Sequence, residues 1–301
     1  MTLQWLLDGV IAGGILALGA TGVTLTYSNL RFANFAHGEF ISWGAYLALS
    51  LAALAGSMLG AGAVVEPFSF GARLLLAAGL AAALTGVLAL VLDALVFRRL
   101  RARGAAVTAV MASFGVSMAL RALLEVLYTS RPQYYSNELQ IAVPLGAGMR
   151  ATPDQLAVLG LATVAGIGIA LLLSHTVTGR QMRAVAENPL LAAVVGIDVA
   201  RVVRVTWLLG AALAAVSGVA LGVLVQVRPA MGAELLLPLF AAAIVGGIGS
   251  VPGAFAGAFV VGIAEAATVR YAGAEWRAAV SFVLLVAVLL VRPAGLFGRQ
   301  P

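Results

Sequence analysis

The chain has 301 residues, of which 62% are hydrophobic and only 10% are charged, well under the roughly 25% charge of an ordinary soluble domain, so a water-soluble fold is excluded. All 18 residues of the Lys+Arg count are arginines and cysteine is absent, which removes P-loop and Schiff-base lysines, disulfides and thiolate chemistry together. The net charge of +6 does not point to nucleic acid, because the arginines sit in short connections between apolar segments instead of forming one basic stripe.

The first apolar segment, Leu3 to Tyr27, has no basic residues before it and contains Asp8, so it reads as a membrane span and not a cleaved leader. A polar patch follows, Asn34-Phe35-Ala36-His37-Gly38-Glu39, preceded by Asn29 and Arg31. Ionisable groups at membrane depth usually face a cavity or a partner. Two readings stand: non-helical backbone lining a solute pathway, or a turn in which Asn34 or Glu39 caps the next helix. Phe40 to Gly60, Ala72 to Phe97 and Ala105 to Tyr128 are the next spans. Asp93, like Asp8, lies near a span end and is assigned no role. Arg121 and Glu125, four apart inside the Ala105 to Tyr128 span, pair along one helix face as a structural ion pair.

After Pro153 to Ser174 comes the longest polar connection, His175 to Arg204. Asn188 fits an N-cap, Pro189 the first helical position and Gly196 the residue past the end. Leu190, Leu191, Val194 and Val195 share one apolar face. Gly179 to Asp198 is therefore expected to form a short helix on the membrane surface or docked into a partner. The remaining segments are Val205 to Val227, Leu235 to Gly246, Pro252 to Val269 and Arg277 to Val291. Leu235 to Gly246 is too short to cross alone, and with the next segment it is expected to form a broken or re-entrant hairpin about Gly246-Gly247-Ile248-Gly249-Ser250. That glycine loop lacks the Lys and following Ser/Thr of a nucleotide grip. It reads as a tight turn offering amides to a carboxylate, or as a packing turn.

These segments define an all-α membrane protein, a polytopic helical bundle of about eight or nine transmembrane or re-entrant helices, with one transmembrane domain over 1–301 and a cytoplasmic loop at 175–204. Most arginines, including Arg31, Arg98 to Arg103, Arg180, Arg183, Arg201, Arg204, Arg292 and Arg299, fall on the side opposite the N-terminus. The positive-inside rule then puts the N-terminus outside and the C-terminus in the cytoplasm. Gly253, Gly257 and the stretch Gly210 to Gly222 read as close helix contacts, and Gly44-Ala45-Tyr46 echoes Gly253-Ala254-Phe255 as a trace of an internal repeat. The 2 histidines, His37 and His175, are far apart, and no nucleophile, base and orienting group fall in order. No catalytic residue, metal ligand or cofactor is expected.

The same segments carry a family resemblance. Asn34 to Glu39 continuing to Gly44-Ala45-Tyr46, Gly179-Arg180-Gln181-Met182-Arg183-Ala184 with Gly196-Ile197, Gly246 to Gly253 with Gly262-Ile263-Ala264-Glu265, and Val291-Arg292-Pro293-Ala294-Gly295-Leu296-Phe297-Gly298 occur in this order. Together they resemble the branched-chain amino acid ABC permease family, the LivH-type subunit more than its LivM-type partner. The resemblance implies the permease of an ATP-driven importer in the bacterial inner membrane. Its implied partners are a second, LivM-type permease, two cytoplasmic ATP-binding subunits and an extracytoplasmic solute-binding protein. It implies a pathway near Asn34, His37, Gly38, Glu39, Gly246, Gly247, Gly249 and Ser250, the two groups lying close together. It also implies ATPase coupling through Gly179, Arg180, Arg183, Ala184, Glu187, Asn188, Pro189, Leu191, Val195, Gly196, Ile197 and Asp198. Leu237-Pro238-Leu239-Phe240 stands where family members often carry a lysine, and relatives also move urea and short amides. The rival from another class is an ion-coupled secondary transporter or channel using His37 and Glu39.

Overall fold

The computed structural model describes residues 3–59, 66–104, 106–136, 140–146 and 148–298. Gly60, Ala105 and Arg299, used above as a span end, a span start and a topology marker, lie outside them. Helices α1 (Gln4–Leu30), α2 (His37–Leu59), α3 (Ala72–Leu92), α5 (Ala106–Tyr128) and α6 (Pro153–His175) make up the first part of the chain. Between α3 and α5, a π-turn at Asp93–Phe97 runs into the short α4 (Arg98–Ala102). Next come α7 (Val177–Glu187), α8 (Pro189–Val194), α9 (Val199–Leu224), α10 (Met231–Gly246), α11 (Val251–Tyr271) and α12 (Arg277–Val291). Eight helical stretches are long and apolar enough to cross a bilayer, and α10, with 16 residues, is shorter. The chain is thus an all-α polytopic membrane protein. The one departure among the described residues is a small antiparallel hairpin, Val143–Gly146 with Met149–Ala151, at the entrance to α6.

Glycine sets how closely the central helices approach. A Cβ on Gly22 would lie 2.7 Å from the Gly210 carbonyl where α1 crosses α9, and one on Gly218 would lie 2.0 Å from the Ile41 carbonyl where α9 crosses α2. Gly9, Gly13 and Gly262 do the same between α1 and α11, as do Gly246, Gly253 and Gly257 between α10 and α11. In lipid, where apolar burial offers no drive, such backbone proximity is what lets helices associate.

The contacts pair off. α1 packs on α9, α10 and α11, α9 packs on α1, α2 and α3, and α2 meets α3 as α10 meets α11. The packing thus has the form of two helix sets, α1 to α3 and α9 to α11. Gly44-Ala45-Tyr46 lies in α2, and Gly253-Ala254-Phe255, which echoes it, lies in α11.

Candidate functional site

α1 ends with Arg31 in the left-handed conformation, φ 57°, its amide bonded to the Tyr27 carbonyl at 2.8 Å. The chain then turns back along α1. Asn34 Oδ1 accepts the Ala36 amide at 3.1 Å and the Asn34 carbonyl accepts the His37 amide at 3.2 Å. The α2 helix begins at His37, three residues before the sequence boundary at Phe40. His37, Gly38 and Glu39 are therefore helical, which corrects the non-helical reading for these three. The hydrogen-bonded turn at Asn34 releases the chain into a helix earlier than hydropathy alone indicates.

His37 is fully buried, and its Nε2 donates to the Gly19 carbonyl at 3.2 Å, since a carbonyl can only accept. The contact sets His37 level with Gly19 and Gly22 in the middle of α1. At Gly38 a Cβ would sit 2.6 Å from the Gly232 carbonyl, and one on Gly232 would sit 1.8 Å from the Gly38 carbonyl. Ser42 Oγ donates to the Pro229 carbonyl and accepts the Gly232 amide, both at 3.0 Å. The N-terminal ends of α2 and α10 thus meet partway through the bundle. Each is preceded by non-helical chain, residues 31–36 and 225–230.

The break in the second half consequently lies at the start of α10. The Val225–Ala230 segment is tied down by Gln133 and Val227, whose backbones exchange bonds of 2.9 and 2.8 Å. Nearby, Tyr135 donates to the Ala45 carbonyl at 2.8 Å. Burial pushes this phenol far above its usual range, so it keeps the proton that it donates.

Glu39 is buried, its Oε1 accepting from Ser117 at 3.2 Å while Oε2 has no partner among the described residues. Ser113 accepts the Phe35 amide at 3.0 Å, and the Trp43 indole donates to the Leu120 carbonyl at 3.2 Å. Polar contacts therefore hold α5 against α2. The serines at 113 and 117, four apart inside an apolar span, are the sequence signal that would have found them.

The second glycine cluster lies elsewhere. Gly38 packs at the beginning of α10 and Gly246 ends it, about 21 Å away at 1.5 Å per residue. Phe35 reaches further along α10, its ring 5.6 Å from that of Phe240. Gly247, φ 103°, and Gly249, φ 91°, form the turn into α11, and Ser250 caps that helix by accepting the Gly253 amide at 3.2 Å. The last carbonyls of α10, Val245 and Gly246, accept the Leu296 and Phe297 amides at 2.8 and 3.0 Å. Gly38 and Gly246 thus sit at opposite ends of α10. The inner turn closes on the chain's own C-terminal segment, because its free carbonyls find donors there.

The connection at 175–204 is two helices, not the single element expected over Gly179 to Asp198. Asn188 breaks it, adopting an extended conformation with φ −152°, and its Oδ1 accepts the Leu190 and Leu191 amides at 3.1 Å as the N-cap of α8. Pro189 takes the first turn and Gly196 follows the end with φ 86°, as read from the sequence. Leu190, Leu191, Val194 and Val195 are 80%, 61%, 82% and 68% exposed. Asp198 caps α9 through the Arg201 amide at 3.0 Å, after Ile197, whose amide bonds the Ala192 carbonyl.

α7 is pinned to the body of the protein. Thr176 Oγ1 accepts the Gly179 amide, and a Cβ at Gly179 would lie 2.2 Å from the Leu172 carbonyl. Arg183 donates to the Leu173 carbonyl, Met182 and Val185 are buried, and Ala184 lies against them. Arg31 donates to the Ala186 and Glu187 carbonyls at 3.1 and 2.9 Å. Sequence reading had used Arg31 only as a topology marker. In the structure it joins the end of α1, just before the Asn34 turn, to the end of α7, just before α8. Arg180 lies on the exposed side of α7.

The fold is thus a bundle of apolar helices with two broken elements meeting inside it and a helix pair, α7 and α8, at one end. A family model described as "Branched-chain amino acid transport system / permease component" matches residues 5–289, and the chain belongs to that family. It is similar to the high-affinity branched-chain amino acid transport system permease protein LivH of Escherichia coli K12, 33% identical over 99% of this chain and 96% of that one. It is also similar to the high-affinity branched-chain amino acid transport system permease protein BraD of Pseudomonas aeruginosa, 31% identical over 99% of this chain and 96% of that one. A solved structure, PsaBC from Streptococcus pneumoniae in complex with Fab, shares the fold with a TM-score of 0.50, 16% identity and coverage of 96% and 92%.

Proposed function

We propose that the chain is the membrane-spanning permease of an ATP-driven importer for branched-chain or similar small amino acids in the bacterial inner membrane. Its N-terminus lies outside and its C-terminus in the cytoplasm. The observation that carries the ATP-driven part is α8, whose four large apolar side chains stand free on a helix fixed at both ends by caps. An importer must pass a rigid movement between chains, which requires a stiff element on the permease and a pocket on its partner. Burying each of these side chains contributes about 1.5–3 kcal/mol. Arg180, Arg183 and Glu187 set orientation and encounter more than raw affinity.

The route from α8 to the pathway is covalent and hydrogen-bonded. Movement of α7 and α8 reaches the end of α1 through Arg31, and from there Asn34, His37, Gly38 and Glu39, which we retain as the pathway residues. Gly246, Gly247, Gly249 and Ser250 line it, on this reading, only at its cytoplasmic mouth. The spans α5, α6 and α12 bury 22%, 17% and 6% of their central windows within the chain. They leave faces for the bilayer and for a second, related permease. The two ATP-binding subunits and an extracytoplasmic solute-binding protein complete the assembly.

The test is the double substitution Leu191→Asp and Val195→Asp. It should release the ATP-binding subunits from the membrane complex while this chain stays inserted and folded. A doubly substituted complex that still co-purified with them and hydrolysed ATP in response to solute would remove α8 as the coupling element.

A further inference from the structure

On α5, Val107, Met111, Phe114, Met118, Arg121 and Glu125 follow one another at intervals of four, three, four, three and four residues. That spacing keeps them on a single helix face. The opposite side of α5 is anchored on α2 through Ser113, Ser117, Leu120 and Leu124. The stripe itself is outward: Val107, Met111, Phe114 and Met118 are 73%, 68%, 56% and 62% exposed, and the Arg121 and Glu125 side chains 42% and 44%.

Arg121 Nε and Glu125 Oε1 are 3.4 Å apart. At 1.5 Å per residue they stand about 6 and 12 Å from the midpoint of the 23-residue helix, inside the half-thickness of about 15 Å of a hydrocarbon core. A charged pair exposed at that depth is not left to face lipid tails, because ionisable groups in spans turn toward partners or aqueous cavities. One turn from Arg121, Ser117 holds the Glu39 carboxylate, whose second oxygen is buried without a partner among the described residues. The exposed Arg121–Glu125 pair thus begins one turn beyond the point where α5 is fixed to α2.

We propose that this stripe is a binding station for the zwitterionic head and aliphatic side chain of an α-amino acid in transit. The inference rests on the reading of the chain as an amino-acid permease. Arg121 takes the α-carboxylate through two parallel N–H donors, the geometry for which a guanidinium is suited. Glu125 takes the ammonium. The complement of charge is that of an amino acid, one cation and one anion within a few ångströms. Met118, three residues from Arg121, lies about 4.5 Å along the axis on the same helix face. Two thioethers and a phenyl ring make an adaptable apolar wall for side chains of differing shape.

The test uses uptake of L-leucine by the assembled importer in membrane vesicles with four versions of the chain: unchanged, Arg121→Gln, Glu125→Gln, and the exchange of Arg121→Glu with Glu125→Arg. The exchange keeps an ion pair on the helix, so a pair that merely stabilised α5 would be restored by it. The station predicts uptake at least about tenfold below the unchanged chain in all three variants, with the assembled complex recovered in unchanged amount. Uptake returning to normal in the exchanged pair, or loss of the assembled complex in the Gln variants, would overturn the station and leave the functional reading standing. An unchanged importer that hydrolyses ATP but takes up no leucine would overturn both.

Discussion

At Gly38 and Gly232, two backbones approach so closely that neither tolerates a methyl group. A Cβ on Gly232 would lie 1.8 Å from a carbonyl oxygen that has no room to retreat. Gly232→Ala is expected to destabilise the bundle by about 1–3 kcal/mol or more, read as a lower thermal midpoint in detergent, whereas Gly79→Ala, with open space about it, should be near neutral. Asp93 makes a comparable point with charge. Its Oδ1 accepts the Trp207 indole at 2.8 Å and lies 2.6 Å from Arg101, tying α9 to the π-turn below α3. Asp93→Ala leaves a buried donor and a cation without partners, a loss of about 1–3 kcal/mol or more; a midpoint unchanged by the substitution would contradict this. Sequence reading had given Asp93 no role, since a lone Asp near a span end carries no sign of the tryptophan that approaches it from another helix. Asn188, by contrast, was legible because its cap is made with residues two and three places on.

At the scale of elements, local signals were read well and distant ones poorly. Span centres, the start of α6 at Pro153 and the Asn188-Pro189 entry to α8 all follow from hydropathy, proline and capping chemistry within a few residues. The early start of α2 was missed because His37 and Glu39 look like loop residues until partners on α1 and α5 are known. The hairpin of α10 and α11 was legible because glycines at 246–249 announce its turn, whereas the break at residues 225–230, fixed by a bridge to Gln133, carries no such local signal. A cap is open to direct test. Asn188→Ala should weaken α8 by about 1 kcal/mol, seen as faster amide exchange at Leu190 and Leu191, with α7 protected as before through Thr176, Arg183 and Arg31. Equal loosening of α7 and α8 would mean that they form one unit.

For the whole molecule, composition alone gave the class: a chain so apolar, with arginines gathered in its connections, has to be a polytopic membrane protein. The packing of α1 to α3 on α9 to α11 was hardly legible, because it rests on glycines meeting across helices far apart in sequence. Without a lysine anywhere, the chain lacks the grip on phosphate that a nucleotide site of the P-loop type needs, and the purified single subunit should not bind ATP. On the reading proposed above, the energy comes from associated ATP-binding subunits. The most direct test of the account is therefore leucine uptake by the assembled transporter in sealed vesicles, with ATP and the proton gradient removed in turn. The account predicts uptake that stops without ATP and persists when an uncoupler collapses the gradient; uptake that survives ATP removal and collapses with the gradient would contradict it and favour an ion-coupled transporter.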